Sequence, residues 1–268
     1  MSNKVRIDAV QLPGIIFLAE WIIIVFSGTS FTGLSGNPLF LLPADPAYMF
    51  VFASGLPAYI LSHHFLSVLF DIAITGSVVA FIISGCNARW ARACFILLFI
   101  YYIILTALLG HSNYQQGMFL LFVPFMFRNI NRQYAFEATR YFLLFFYVSA
   151  AIFKIYYGGI FHIDGFANVL AGQFLPYYAE HNTGWRTGLN QYLVGHTGLA
   201  YALYLGGFML ELIAITGFFT KRYDSLLCVA ILSFHLVNWI LMDIAPIGHL
   251  GFICLLLISR KLSLPKQS

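Results

Sequence analysis

Five ionisable side chains stand inside long apolar stretches of this sequence, and they are the first candidates for chemistry. They are Glu20, Asp71, Lys154, Glu211 and His235. A charge in a lipid-embedded segment is costly, so such groups usually face the interior of a helix bundle and mark a structural or functional contact. Lys154 leaves two interpretations open: a side chain that extends to the outer headgroups, or a desolvated amine that acts as a base.

A base at position 154 would need an apolar pocket around its amine. Phe153, Tyr156 and Tyr157 surround it in the sequence, and we expect these side chains to form the walls. No acidic residue lies within one helical turn of Lys154 to keep it charged.

Other polar residues suggest a pair and a cluster. Glu211 and His235 stand near the middle of consecutive apolar stretches joined by a short turn, so we expect them to form a structural polar pair. His111 and His249 lie at the ends of two further stretches, on the same side of the membrane as Lys154. Titratable groups gathered under one covered surface make a candidate site.

The elements that must position these residues are membrane spans. The chain has 268 residues, of which 60% are hydrophobic and only 9% are charged, and this composition excludes a water-soluble globule. We predict a single all-α membrane domain over residues 1–268, a polytopic helix bundle of about eight transmembrane spans. The predicted spans are 12–27, 65–86, 93–110, 114–127, 140–158, 197–219, 225–242 and 246–259.

The basic residues predict the orientation of the bundle. Of the 14 Lys and Arg residues, all except Lys154 and Arg186 lie at the termini or in alternate connections. By the positive-inside rule, both termini are cytoplasmic. The long outer connections 28–64 and 159–196 are rich in glycine and aromatic residues, and we expect them to cap the outer ends of the helices.

Several classes of function have no support in the sequence. The basic residues form no patch with interleaved aromatics, so we expect no nucleic-acid partner. The four cysteines lack metal-type spacing and no metalloprotease or nucleotide-binding motif is present, so we expect no metal site. The expected environment is a lipid bilayer.

One segment resembles a known family. Tyr147-Val-Ser-Ala-Ala-Ile-Phe-Lys154 is similar to the Y-x-x-A-G-x-x-K-L segment in the membrane domain of vitamin K-dependent γ-carboxylases and their HTTM relatives. The connection His111-Ser112-Asn113-Tyr114 resembles the family's loop of Asn, His and Tyr residues. Glu211, Arg222 and Phe234-His235 follow the order of its E…R…FH residues, and the likeness extends over about residues 105–250.

The resemblance implies quinol-dependent enzyme chemistry. In that family a lysine at this position is taken to deprotonate a reduced naphthoquinone. The likeness therefore implies a reduced quinone as cofactor, in a pocket open to the outer leaflet of a bacterial plasma (inner) membrane. It implies the following site residues: Lys154 and His111 as catalytic, and Asn113, Tyr114, Tyr147 and His249 as ligand-binding.

The resemblance also limits the expected substrate. Ile155 replaces the family's leucine, and no counterpart of the carboxylases' large soluble part follows the last span, so carboxylation of a protein glutamate is not expected. The expected reaction serves the modification of a secreted peptide.

Two other classes of function stay open. The first is a non-enzymatic membrane accessory protein for the maturation or export of a secreted peptide or toxin, which would hold the peptide or a partner subunit and tolerate Lys154→Met. The second is a small-solute transporter, which is less favoured because the sequence shows no inverted repeat and no matching pair of broken spans.

Overall fold

A computed structural model describes residues 11–36, 46–109, 118–127, 132–180, 183–242 and 248–258 of the chain. Throughout these ranges the regular structure is helical, and two short 3-10 helices cover Met118–Met126 and Gly159–Phe161. The α-helices are α1 (Leu12–Phe26), α2 (Phe31–Leu34), α3 (Pro46–Ala53), α4 (Leu56–Ser62), α5 (His64–Ile83), α6 (Ala88–Leu109), α7 (Arg132–Tyr156), α8 (Gly165–Gln173), α9 (Leu175–Ala179), α10 (Trp185–Gly195), α11 (Thr197–Ile213), α12 (Thr216–Phe219), α13 (Asp224–Met242) and α14 (Leu250–Ile258).

Among the described residues, six helical segments are long and apolar enough to cross a membrane, which confirms the prediction of an all-α, multi-span protein. They are Gly14–Leu34, His64–Ile83, Ala88–Leu105, Gln133–Tyr156, Thr197–Phe219 and Asp224–Met242. Many large apolar side chains on them are exposed, such as Phe145, Ile152 and Leu226. Water would not tolerate so much exposed apolar surface, so these helices are consistent with an integral membrane protein in a lipid bilayer.

Two of the eight predicted spans, 114–127 and 246–259, lie only partly within the described residues. Their described helices are the 3-10 helix Met118–Met126 and α14, with nine residues each. The eight-span arrangement stays a prediction.

The helix that contains the predicted fifth span is longer than that span. The span was predicted from residue 140, and α7 extends over Arg132–Tyr156. The polar residues among 132–140 are the reason why the predicted span did not include this segment. The segment contains no glycine or proline, so a helix can form there.

The chain divides into two compact units, and the single membrane domain over residues 1–268 stays a prediction. The first unit comprises residues 1–139 and 247–268, and the second comprises residues 140–246.

Buried carboxylates inside the first unit bind helix N-termini. Glu20 on α1 accepts hydrogen bonds from the backbone N–H groups of Gly248 and Leu250, at 2.9 and 2.8 Å, where α14 begins. Asp71 on α5 accepts from the N–H groups of Phe31 and Thr32 at the start of α2. Helix N-termini expose N–H donors that have no partner within the helix, so both acidic residues have a structural role as acceptors for these groups.

The second unit has its long helices α7, α11 and α13 alongside the shorter helices α8 to α10. A buried ion pair joins α7 to the start of α13: Arg140 donates to both carboxylate oxygens of Asp224, at 2.7 and 2.8 Å. At the other end of α13, Arg186 of α10 donates to the carbonyl oxygens of Trp239 and Ile240. A cation is favourable at a helix C-terminus, which explains a basic residue in a connection that otherwise has none.

Candidate functional site

The second unit contains a cavity of about 1350 Å³. Its walls come from α7, α11, α13 and the segment Gly159–Val169, which includes the first half of α8. The walls are mainly apolar, and the polar side chains among them are few: Tyr147, Lys154, His162, Asp164, Asn168, Tyr204, Glu211, Ser233, His235 and Asn238. A large apolar cavity with a few convergent polar groups is the usual form of a small-molecule site.

The central polar feature of the cavity is an ion pair between two long helices. Lys154 Nζ on α7 donates to both carboxylate oxygens of Glu211 on α11, at 2.7 and 2.6 Å. The Lys154 side chain is 27% exposed, whereas that of Glu211 is 6% exposed. The carboxylate is therefore held inside the unit, and the ammonium stands between it and the open cavity.

Aromatic faces complete the surroundings of the ammonium. Lys154 Nζ lies 5.5 Å from the ring centre of Tyr204 and 5.8 Å from that of Phe234. These distances are within the range of cation–π attraction. Gly207 makes room for the Phe234 ring, because a Cβ atom there would stand 3.0 Å from the ring edge.

A second polar pair lies on the same wall of α7. The Tyr147 hydroxyl is 2.6 Å from Nε2 of His235 on α13, and Tyr147 is buried. Tyr147 and Lys154 are seven residues apart, which places them on one face of α7 about two turns from each other. The cavity therefore presents two polar pairs at two depths.

The structure gives Glu211 and His235 partners other than those predicted. We expected the two residues to pair with each other, but the Glu211 carboxylate binds Lys154 and the His235 ring binds Tyr147. The actual partners, Lys154 and Tyr147, lie on α7, which is distant from α11 and α13 in the sequence. The predicted pair was based only on the short turn between α11 and α13.

The predicted walls around Lys154 are also wrong. Phe153, Tyr156 and Tyr157 are 57%, 77% and 75% exposed. They are absent from the cavity wall, where Tyr204 and Phe234 stand instead. Neighbours in sequence point away from one another on a helix, so the residues that surround a side chain come from other helices.

The remaining predicted site residues lie elsewhere. His249 belongs to the first unit, in the turn that precedes α14, and is half-buried. His111, Asn113 and Tyr114 lie outside the described residues. The cavity therefore contains Lys154, Tyr147, Glu211 and His235 from the predicted set.

Sequence reasoning missed several residues of the cavity. Tyr204, Phe234 and Asn238 line it, and so does Gly206. One signal was available in the sequence: Arg140, Tyr147 and Lys154 recur every seven residues, as expected for polar groups on one helix face.

Comparison with known proteins gives no relative from which a role could be transferred. No protein-family model, curated protein or solved structure matches the chain. Within the described ranges, no group of three or more His, Cys, Asp or Glu residues could hold a metal ion. The function must therefore be argued from the cavity and its own side chains.

Proposed function

We propose that this membrane protein binds a reduced quinone, or a lipid of similar ring-and-tail form, in the cavity of its second unit and removes a proton from it. The observation that supports this proposal is the Lys154–Glu211 ion pair, which stands at the wall of a large and mainly apolar cavity. Apolar walls and the Tyr204 and Phe234 rings suit a flat ring with an apolar tail.

The ion pair is the proton acceptor in this proposal. Glu211 is ionised while it binds the Lys154 ammonium, so it can take one proton and become a neutral acid. Lys154 transfers a proton to Glu211 as its own amine receives the proton of a ring hydroxyl. The pair ends with one positive charge on Lys154, which stabilises the negative oxygen left on the ligand. Lys154 acts as a base because Glu211 accepts the proton that it must first release.

We further propose that the cavity opens toward the outer leaflet, in an eight-span arrangement with both termini cytoplasmic. Arg140 binds Asp224 and the carbonyl oxygen of Thr220, so the start of the lipid-facing part of α7 lies beside the turn with Lys221 and Arg222. This contact agrees with a cytoplasmic position for both basic connections, the one that ends at Arg140 and the one that contains Lys221 and Arg222. Lys154 stands at the opposite end of α7, which supports an outer position for the ion pair.

The test is chemical analysis of what the protein carries. The full chain is purified from its membrane in mild detergent and extracted with organic solvent, and the extract is analysed by mass spectrometry for isoprenoid quinones and other ring lipids. The wild-type protein should carry near-stoichiometric ring lipid. Lys154→Met and Glu211→Gln should lose most of it, whereas the control Lys221→Met, which lies outside the cavity wall, should keep it.

The accessory-protein alternative gives the opposite result. A protein that holds a peptide or a partner subunit on its outer surface would carry no ring lipid, and Lys154→Met would leave it unchanged. An empty wild-type extract, with well-folded protein, would refute the proposed function.

A further inference from the structure

We infer that the ring of the ligand lies in a slot between the two polar pairs of the cavity, so that the ligand carries a hydrogen-bonding group at each end of a flat ring. This inference rests on the proposed function and adds to it the position of the ring and the chemistry of the ligand's far end. The slot comprises Lys154–Glu211 at one end, Tyr147–His235 at the other, and Ala150 of α7 between them.

The two ends of the slot are fixed by the geometry of α7. Tyr147 and Lys154 are separated by seven residues, or roughly 10 Å along the helix axis. Both line the same cavity, each with a partner from a different helix. A ligand with one polar group would satisfy one pair only, whereas a ring with polar groups at both ends would contact both.

A small residue keeps the space between the pairs open on the α7 side. Ala150 lies between Tyr147 and Lys154 on the cavity face of α7. An alanine side chain ends at Cβ, so a flat ring can lie against the helix at this position, whereas a longer side chain would project into the slot.

The far end of the slot can still bind a ligand oxygen. A phenol can donate one hydrogen bond and accept two, so the bond between Tyr147 and His235 leaves the Tyr147 oxygen capacity for another partner. Asn238 lines the cavity one turn from His235, and in the described part of the chain its amide has no side-chain hydrogen bond. The end opposite to the ion pair is therefore polar, which a ligand with a purely apolar far end would leave unsatisfied.

The experiment compares two fluorescent ring probes that differ only at the far end. Naphthalene-2,6-diol has a hydroxyl at each end, and naphthalen-2-ol has one. Each is titrated into purified full-length protein in detergent, with empty micelles as the blank. For the wild-type protein we expect the diol to bind about tenfold more tightly than the mono-ol, the effect of one additional hydrogen bond in an apolar site. Tyr147→Phe should bind both probes with similar affinity.

A steric variant tests the position of the ring without changing any polar group. Ala150→Leu should weaken the binding of both probes at least tenfold, because the leucine side chain fills the slot. The matched control is Ala138→Leu, also on α7, which is exposed and does not line the cavity. It should bind both probes as the wild type does.

Two results would overturn the slot. Equal affinity of the wild type for the two probes would show that the protein does not bind the second hydroxyl of the diol. Unchanged diol affinity in Ala150→Leu would show that the ring lies elsewhere. If native ring lipid is still found in the extraction experiment, either result refutes the slot and leaves the proposed function intact. If the extract is empty but the probes behave as expected, the slot stands and the proposed function fails.

Discussion

Arg140 and Asp224 form a bidentate ion pair that is almost completely removed from solvent, with the two side chains 2% and 0% exposed. The guanidinium also donates to the carbonyl oxygen of Gly217, so it joins α7, α12 and the first turn of α13. Asp224 stands in the first turn of α13, where the helix dipole favours an anion. The pair therefore determines how three helices of the second unit meet.

We predict that Asp224→Ala strongly destabilises the protein. The substitution leaves a buried guanidinium without its counter-ion, which costs about 3–5 kcal/mol of unfolding free energy. Thermal or denaturant unfolding of the detergent-purified protein measures the loss. The control is Glu180→Ala, which removes an exposed carboxylate of the same unit and should have a small effect.

A double variant separates the pair from its packing. Arg140→Met combined with Asp224→Leu removes both charges together and should recover most of the stability lost in Asp224→Ala. Wild-type stability of Asp224→Ala would mean that the two side chains do not meet in the membrane.

For Lys154 and Glu211 we predict clear coupling but smaller single effects. Lys154 is partly exposed to the cavity, so its ammonium can reach water or headgroups when Glu211 is replaced. Lys154→Met and Glu211→Gln should each cost about 1.5–3 kcal/mol, the usual range for a hydrogen bond to a charged group. Unfolding of the two single variants and the double variant completes a cycle, and additive effects would contradict the observed pairing.

Glu20 should be necessary for α14. Glu20→Ala leaves the backbone N–H groups of Gly248 and Leu250 unpaired, at roughly 1–3 kcal/mol for each buried group. Glu20→Gln keeps one acceptor oxygen and should be milder. Hydrogen–deuterium exchange over residues 250–258 reports the result: exchange should be fastest in the alanine variant, and equal rates in all three proteins would refute the cap.

Topology is tested by chemical labelling of single cysteines. In a variant that lacks the four native cysteines, Ser2→Cys and Asn182→Cys are exposed to a membrane-impermeant maleimide in intact cells. The positive-inside rule predicts labelling at position 182 and protection at position 2. After the cells are opened, both sites should react, which shows that each cysteine is reactive. Labelling of position 2 in intact cells would reverse the orientation.

The heptad recurrence of Arg140, Tyr147 and Lys154 shows how far the sequence alone could lead toward the candidate site. It places the three residues on one face of α7, and their partners Asp224, His235 and Glu211 are each polar residues within or at the end of an apolar stretch. The pairing could not be predicted, because three residues on α7 and three partners on α11 and α13 can combine in several ways. Gly206 and Gly207 illustrate the same limit, since adjacent and identical residues face open space and a packed ring.

The sequence by itself determined the class of protein. Low charge and long apolar stretches require helices in lipid, because only helices satisfy their own backbone hydrogen bonds within such segments. The folded structure separates the three acidic residues that stand inside apolar stretches: Glu20 and Asp71 bind helix N-termini, whereas Glu211 binds Lys154 at the cavity. The apolar composition of a segment can be seen in its own residues, and it determines that the segment is a helix in lipid. An ion pair forms only where side chains from helices that are distant in the sequence come close together in the folded protein.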